Sequence, residues 1–432
     1  MLTRRQTLHG AGALGIAAPL LAACGGGSTP SIHAGDSGGL RLVSADVPQG
    51  PGDVEATGGA VSSMSAFARD LWRAVGKPDD NLALSPYSIA VALAMTVNGA
   101  RGTTAAQMLE VMHVESLATY NAGMAALTQQ LARLDGPVKL GDDTVDVALS
   151  TANQLFGDGA VRWQPSFLTV LAKQYGAGMR TVDFATAPET ARGLINDWTA
   201  GQTHDRIPEI MPAGTVDPST RLVLVDALYF KAPWAVPFEE SMTKPGPFTR
   251  GDGSRADVPM MSLAEVPSSA DGERYRGARL QYAGGALAMT LALPDPGDEE
   301  AALGELLDEG LVREGRPGLQ LTMPRWTYRV ATDLKDPLLT LGMSTAFGGG
   351  ADFSGMTTAV DLQISEALHQ TYVAVDEKGT EAAAATAVGM AESAIAQSAP
   401  PLVLDRPFLY VIHDTAHGTP LFVGRVTNPT PR

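Results

Sequence analysis

Seven histidines, a single cysteine and a surplus of carboxylates are the raw material for chemistry in this 432-residue chain. His413 and His417 in "HDTAH" have the four-residue spacing of some metal-ligating pairs. They fall, however, in a turn between two apolar runs and have no nearby His or carboxylate partners, so both are expected at the surface and no metal site is expected. "FGGGADFSG" is glycine-rich but lacks the lysine and the strand–loop–helix order of a phosphate loop. Glu239–Glu240 and Glu299–Glu300 lie in polar runs and read as solvated faces. "GDSGG", Gly35 to Gly39, is the kind of pentapeptide that can present a nucleophilic serine. A serine nucleophile needs a positioned His and Asp on a packed scaffold, and only His9 and His33 precede Ser37, in a stretch of Gly, Ser, Pro and Asp. No catalytic constellation assembles, so the chain does not read as an enzyme and implies no cofactor.

The formal charge of −16 excludes a phosphate backbone as partner. "MLTRRQTLHG" supplies a basic start with Arg4 and Arg5, and "AGALGIAAPLLAAC" an apolar segment too short to anchor as a span, so residues 1–23 read as an export signal. The arginine pair fits twin-arginine export and leaves the general secretory route open. "LAAC" resembles the lipobox of bacterial lipoproteins, with Cys24, the only cysteine, as the lipidated residue. The expected product is a cell-envelope lipoprotein, periplasm-facing or at the cell surface, held to a membrane by acyl chains and free of disulfides. Residues 24–58 are rich in Gly, Ser, Pro and Asp and are expected to form a disordered tether.

The pattern that must position any functional residue begins at about residue 59. Met64, Phe67, Leu71 and Val75 are spaced by three and four and mark one helix face. "SPYSIAVALAMTVNGA" reads as a helix with Ser85 as N-cap and Pro86 in the first turn. Further helices fit "PSFLTVLAKQYGA", "ETARGLINDWTAGQT" and "EEAALGELLDEG". Strands fit "DVALSTANQLFG", "TRLVLVDALYF", "ALAMTLALP", "GLQLTMPRWTYRV", "HQTYVAVDE", "FLYVIHD" and "PLFVGRV", the last two joined as a hairpin. Helices precede most strands with no βαβ rhythm, which gives an α+β domain with large mixed or antiparallel sheets.

Four long motifs, in order, carry a resemblance to the serpins that covers nearly everything from residue 60 to Arg432. They are "NLALSPYSIAVALAMTVNGARGTTAAQM", "TRLVLVDALYFKAPWAVPF", "DEKGTEAAAAT" and "DRPFLYVIHDTAHGTPLFVGRVTNP". The resemblance implies a fold of three β-sheets with about eight or nine helices and an exposed reactive-centre loop, here about residues 377–400. It implies a monomeric suicide inhibitor of serine proteases. The protease acylates itself on the loop, and the severed loop inserts into the main sheet before the ester is hydrolysed. The hinge would be Glu377, Gly379, Thr380, Glu381, Ala382, Ala383, Ala384, Ala385 and Thr386. With side chains alternating along an inserting strand, Thr380, Ala382, Ala384, Thr386 and Val388 would point inward and Glu381 to solvent. Taken alone, the alanine run could equally be a surface helix.

The resemblance also places Ser85, Ser88, Asp226 and His369 in the shutter, the polar cluster under the parting strands, and Trp234 in the breach. Asp226 stands where the family has Asn, and it could couple insertion to pH in histidine's range through His369. Asp205 in "THDRI" replaces the family's usual Gly, with only a local turn change expected. Counting from the hinge puts the scissile bond at Ser393–Ala394. Counting back from "RPF" puts it about three residues later, so the window Met390 to Gln397 stays open. That window has no Arg, Lys or aromatic residue, which favours elastase-like or subtilisin-like targets over trypsin-like ones. The competing function is a non-inhibitory serpin-fold binding protein or chaperone, whose hinge would usually carry bulky, charged or Pro residues.

Overall fold

The computed structural model describes residues 32–37, 39–77, 79–381 and 400–430. The strand Leu222–Pro233, apolar at nearly every position, is covered on both faces, as such a run requires. Leu222, Leu224, Leu228 and Phe230 face the main core with helix Pro86–Val97, which is buried along its whole length. Val223, Val225 and Ala227 face the other way, against Ala191 and Ile195 of helix Pro188–Gln202. This strand lies at the centre of a nine-stranded sheet. Its neighbours on one side are Asp143–Asp158, Met179–Val182, Leu40–Ala45 and Ile32–Ser37; on the other they are Gly379–Thr380, Glu366–Asp376 and Trp326–Asp333. Gly136–Leu140 pairs with Asp143–Asp158 off this path.

A six-stranded sheet holds Tyr275–Gln281, Leu287–Pro294, and the hairpin of Phe408–Asp414 and Pro420–Val426 at its centre. A four-stranded sheet contains Arg255–Val266 and Leu319–Pro324, with Leu402–Val403 at its edge. Eight α-helices occur among the described residues, so the α+β class, the three sheets and the helix number all match expectation. Ser85 caps helix Pro86–Val97 by accepting the Ser88 N–H at 3.2 Å. Met64, Phe67 and Leu71 are buried, as their spacing demands, and Val75 is half-buried. No described helix is long and apolar enough to cross a membrane.

Two expectations are corrected. The tether assigned to residues 24–58 is folded from residue 32 to 37 and from 39 onward. Ile32–Ser37 and Leu40–Ala45 form a hairpin that adds to the open edge of the sheet through Arg41↔Thr181, Leu42↔Arg180 and Val43↔Met179. An edge strand offers a row of unpaired N–H and C=O groups, so a segment with few apolar residues can still dock there. Leu40 (7% exposed) then joins Phe184 and Ile195 in the outer core. The strap continues across two helical segments: the Gly50 N–H donates to the Lys173 carbonyl, and the Asp53 N–H to the Ala122 carbonyl, each at 2.8 Å. A Cβ on Gly52 (φ 72°) would stand 2.3 Å from the Ala126 nitrogen, so only glycine fits there. Ser37 therefore lies in a strand and not in a tether. The second correction is His413, expected at the surface, which is fully buried. It bonds Thr290 Oγ1 at 2.8 Å, and burial lowers its pKa to about 4.

Leu40→Asp tests the strap. A buried Leu contributes about 1.5–3 kcal/mol, and the loss is capped because the strap can undock. The variant should melt roughly 2–5 °C lower and become cleavable within residues 39–53 by limited proteolysis. Unchanged melting and protection would show that the strap adds no stability.

Candidate functional site

Gly379 and Thr380 lie between the ends of two strands that elsewhere pair with each other. Thr380 is opposite Ala232 on one side and Val375 on the other; Gly379 is opposite Pro233 and Asp376. A Cβ on Gly379 would come 2.2 Å from the Ala232 carbonyl oxygen, so close backbone approach excludes any other residue. Thr380 points inward as expected; it is 2% exposed and its hydroxyl lies 2.7 Å from that of Tyr282. Tyr282 stacks on Trp234 at 4.6 Å between ring centroids. Trp234 in turn holds the turn before the hinge: its backbone N–H donates to the Lys378 carbonyl (2.8 Å) and its indole Nε1–H to the Asp376 carbonyl (3.0 Å). Glu377 is buried and accepts from Thr243 Oγ1 at 2.7 Å. Tyr282 and Thr243 carry no sequence signal, since each meets the hinge across about a hundred residues or more.

Glu381 departs from expectation. Its side chain is only 11% exposed and is ion-paired with Arg206. One carboxylate oxygen, Oε2, is buried without a hydrogen-bond partner, and the backbone is left-handed, at φ 50°. The reason is the "THDRI" segment. His204 and Asp205 also adopt left-handed backbone, φ 49° and 60°, and this turn directs Arg206 back over the sheet. The Arg206 guanidinium lies 5.6 Å from the Tyr372 ring centroid, and Arg329, which donates to the Arg206 carbonyl, lies 5.8 Å from it. Asp205 itself keeps the left-handed backbone that a Gly would adopt without strain, in the turn next to this contact. Ala382, Ala383, Ala384, Ala385, Thr386, Ser393, Ala394 and the window Met390 to Gln397 lie outside the described residues, as does Cys24. The chain re-enters at Pro400 and Pro401, whose carbonyls accept from Arg276 at 2.6 and 3.2 Å.

Below the hinge, Ser85, Ser88, Asp226 and His369 are each no more than 1% exposed and come together as expected. Asp226 and His369 are directly opposite across the parallel ladder. The Ser85 N–H donates to His369 Nε2 at 3.0 Å. Nε2 must then be bare, so the ring proton sits on Nδ1 and is donated to Asp226 Oδ1 in a short contact. Ser88 bonds Asn153, which sits opposite Asp226 on the other flanking strand and was not singled out from the sequence. Burial pushes the Asp226 carboxyl above its usual range, and His369 opposes the shift. For this pair the pH dependence follows from the raised carboxyl of Asp226. Among the described residues no group of three potential ligands could hold a metal ion.

With this geometry in view, a family model, serpin (serine protease inhibitor), matches residues 62–429. Leukocyte elastase inhibitor from Sus scrofa is 36% identical over 383 residues, covering 85% of this chain and 99% of the relative. The Homo sapiens protein of that name is 34% identical over 384 residues, with the same coverage. Tengpin, a thermophilic serpin in its native state, superposes with a TM-score of 0.73 at 26% identity, over 88% of this chain and 96% of its own. Uncleaved ovalbumin gives 0.74 at 26%, over 86% and 100%.

The carboxylate pH dependence has a definite sign. A raised folded-state pKa means that the group's stability contribution is fully present below the ordinary aspartate pKa of about 3.9 and is lost as pH rises through the folded value. Asp226→Asn removes that loss. The melting temperature of the variant minus that of the parent should increase from pH 4 upward and then level off. A constant difference across pH 4–8 would exclude titration of Asp226 as the source.

Proposed function

The chain belongs to the serpin family, and on that premise we propose that it is a suicide-substrate inhibitor of serine proteases of elastase-like or subtilisin-like specificity. It is not an enzyme. The observation that carries the proposal is the hinge: Gly379 and Thr380 already lie between Leu222–Pro233 and Glu366–Asp376. The protease serine attacks a carbonyl in the window Met390 to Gln397. The peptide bond to the next residue breaks, its nitrogen leaves as a free amine, and an ester joins loop to protease. The loop then extends the strand that Thr380 has begun. Ala382, Ala384, Thr386 and Val388 would follow Thr380 toward the core, each of them small or β-branched. The target class follows from a window of small, apolar or acidic side chains, which gives the acidic pocket of a trypsin-like enzyme no cation.

The protein is proposed to be exported and held to an envelope membrane through lipidated Cys24. The first described strand starts at Ile32, eight positions after Cys24, so chain length alone keeps it within about 29 Å of the anchor. Wild-type protein should partition into detergent with membranes and Cys24→Ser should not; a soluble wild-type chain retaining Met1 would refute anchoring.

The inhibitory reading is tested with pancreatic elastase, subtilisin and trypsin. The first two should give an SDS-resistant adduct and trypsin little. Thr380→Arg would put a cation where Thr380 meets Tyr282, at a cost of several kcal/mol. Because each 1.4 kcal/mol is tenfold in rate, the variant should be cleaved at least about tenfold more often than it traps. Unchanged trapping by Thr380→Arg, or efficient trapping of trypsin, would overturn the hinge or the target class respectively.

A further inference from the structure

The hinge is one end of the reactive loop; the other returns to the body at Pro400 and runs into Leu402–Val403, at the edge of the four-stranded sheet. That strand is two residues long and pairs parallel with Leu319–Pro324 through Leu321↔Leu402 and Thr322↔Val403. From there the chain is fixed: the Leu404 N–H donates to the Thr322 carbonyl at 2.9 Å, and Leu402 and Leu404 are buried. Pro400 and Pro401, just before the strand, have no N–H to give to a ladder and offer only carbonyls.

Both carbonyls are taken by one side chain. Arg276 lies on Tyr275–Gln281 of the six-stranded sheet, exposed between buried Tyr275 and Gly277, so strand alternation turns it outward. Its Nη2 donates to the Pro400 carbonyl at 2.6 Å and its Nη1 to the Pro401 carbonyl at 3.2 Å. A planar guanidinium presents a fork of N–H groups that suits two consecutive carbonyls, whereas a lysine ammonium acts as a single point charge. Every residue of the window Met390 to Gln397 is at least as near in sequence to Pro400 as to Thr380, and chain length keeps Gln397 within about 11 Å of Pro400. The end held by Arg276 therefore bears on the scissile bond at least as directly as the hinge does.

We propose that Arg276 is a positioning residue for the inhibitory reaction: it orients the C-terminal leg of the reactive loop for attack by the protease and takes no part in insertion. This role rests on the inhibitory reading above. Before the cut, a docking protease has to order the chain between Thr380 and Pro400, and an end fixed in advance lowers that cost. After the cut, Arg276 holds only the fragment that carries the new amine, and the inserting strand is no longer joined to it. Attack and trapping should respond separately to its loss.

The test uses the full chain with pancreatic elastase and subtilisin and follows two quantities. One is the second-order rate of loop cleavage, read from the C-terminal fragment under denaturing conditions; the other is the ratio of inhibitor cleaved to protease trapped. Arg276→Gln should lower the rate about tenfold and leave the ratio unchanged, the reverse of Thr380→Arg. Arg276→Lys, which keeps the charge without the fork, should lower the rate only about threefold. An unchanged cleavage rate in Arg276→Gln, a shifted ratio of cleavage to trapping, or an equal loss in Arg276→Lys would each overturn the role of Arg276. Wild type that is cleaved without trapping would sink the inhibitory reading, and the cleavage rates of the two variants would still decide whether Arg276 orients the loop.

Discussion

The parallel ladder between Leu222–Pro233 and Glu366–Asp376 runs from Glu366↔Val223 to Thr371↔Leu228 and then stops. Beyond it the strands are kept apart by Gly379 and Thr380, which pair with both. Backbone N–H and C=O groups require partners, and a further strand between these two would supply them in full. The chain carries that strand in its own loop. A sheet closed at one end and wedged at the other is therefore a folded state with a better-paired alternative within reach, and its conversion waits on a cut in the loop.

Other features control how far the wedge goes. Trp234, Tyr282 and Thr380 stack and bond so that the first inserted side chain is fixed inward. Arg206 holds Glu381 at the outer face, where an unpartnered carboxylate oxygen and left-handed backbone mark a strained stop. Where the ladder is still closed, the His369–Asp226 bond crosses the seam that must part. Opening the seam breaks a buried bond to a charged group, which is a larger barrier than separating apolar neighbours. These contacts delay insertion, and a metastable inhibitor needs delay as much as it needs a stable end state.

The fold was legible because its signals are local. The all-apolar run at Leu222–Pro233 and the Ser85–Pro86 cap each follow from a short stretch of sequence. The hinge and the shutter residues were legible only through the serpin resemblance: the alanine run by itself reads equally as a helix, and Asp226 and His369 are 143 positions apart. What escaped was contact set by tertiary geometry. Glu381 was assigned to solvent by strand alternation, which cannot know that a turn at His204 and Asp205 sends Arg206 over the sheet. Asn153 reaches Ser88 only through the register of its strand. The docked strap was missed because its composition resembles a linker; what folds it is an open edge elsewhere in the chain.

The central claim is that the sheet lacks a strand that the loop can supply, and thermal unfolding of loop-cleaved against intact protein tests it most directly. A single substitution in a domain of this size moves the melting temperature by about 1–2 °C per kcal/mol. Inserting a central strand with both ladders formed should raise it far more than that in the cleaved protein. A cleaved protein that melts at or below the temperature of the intact one would contradict the account.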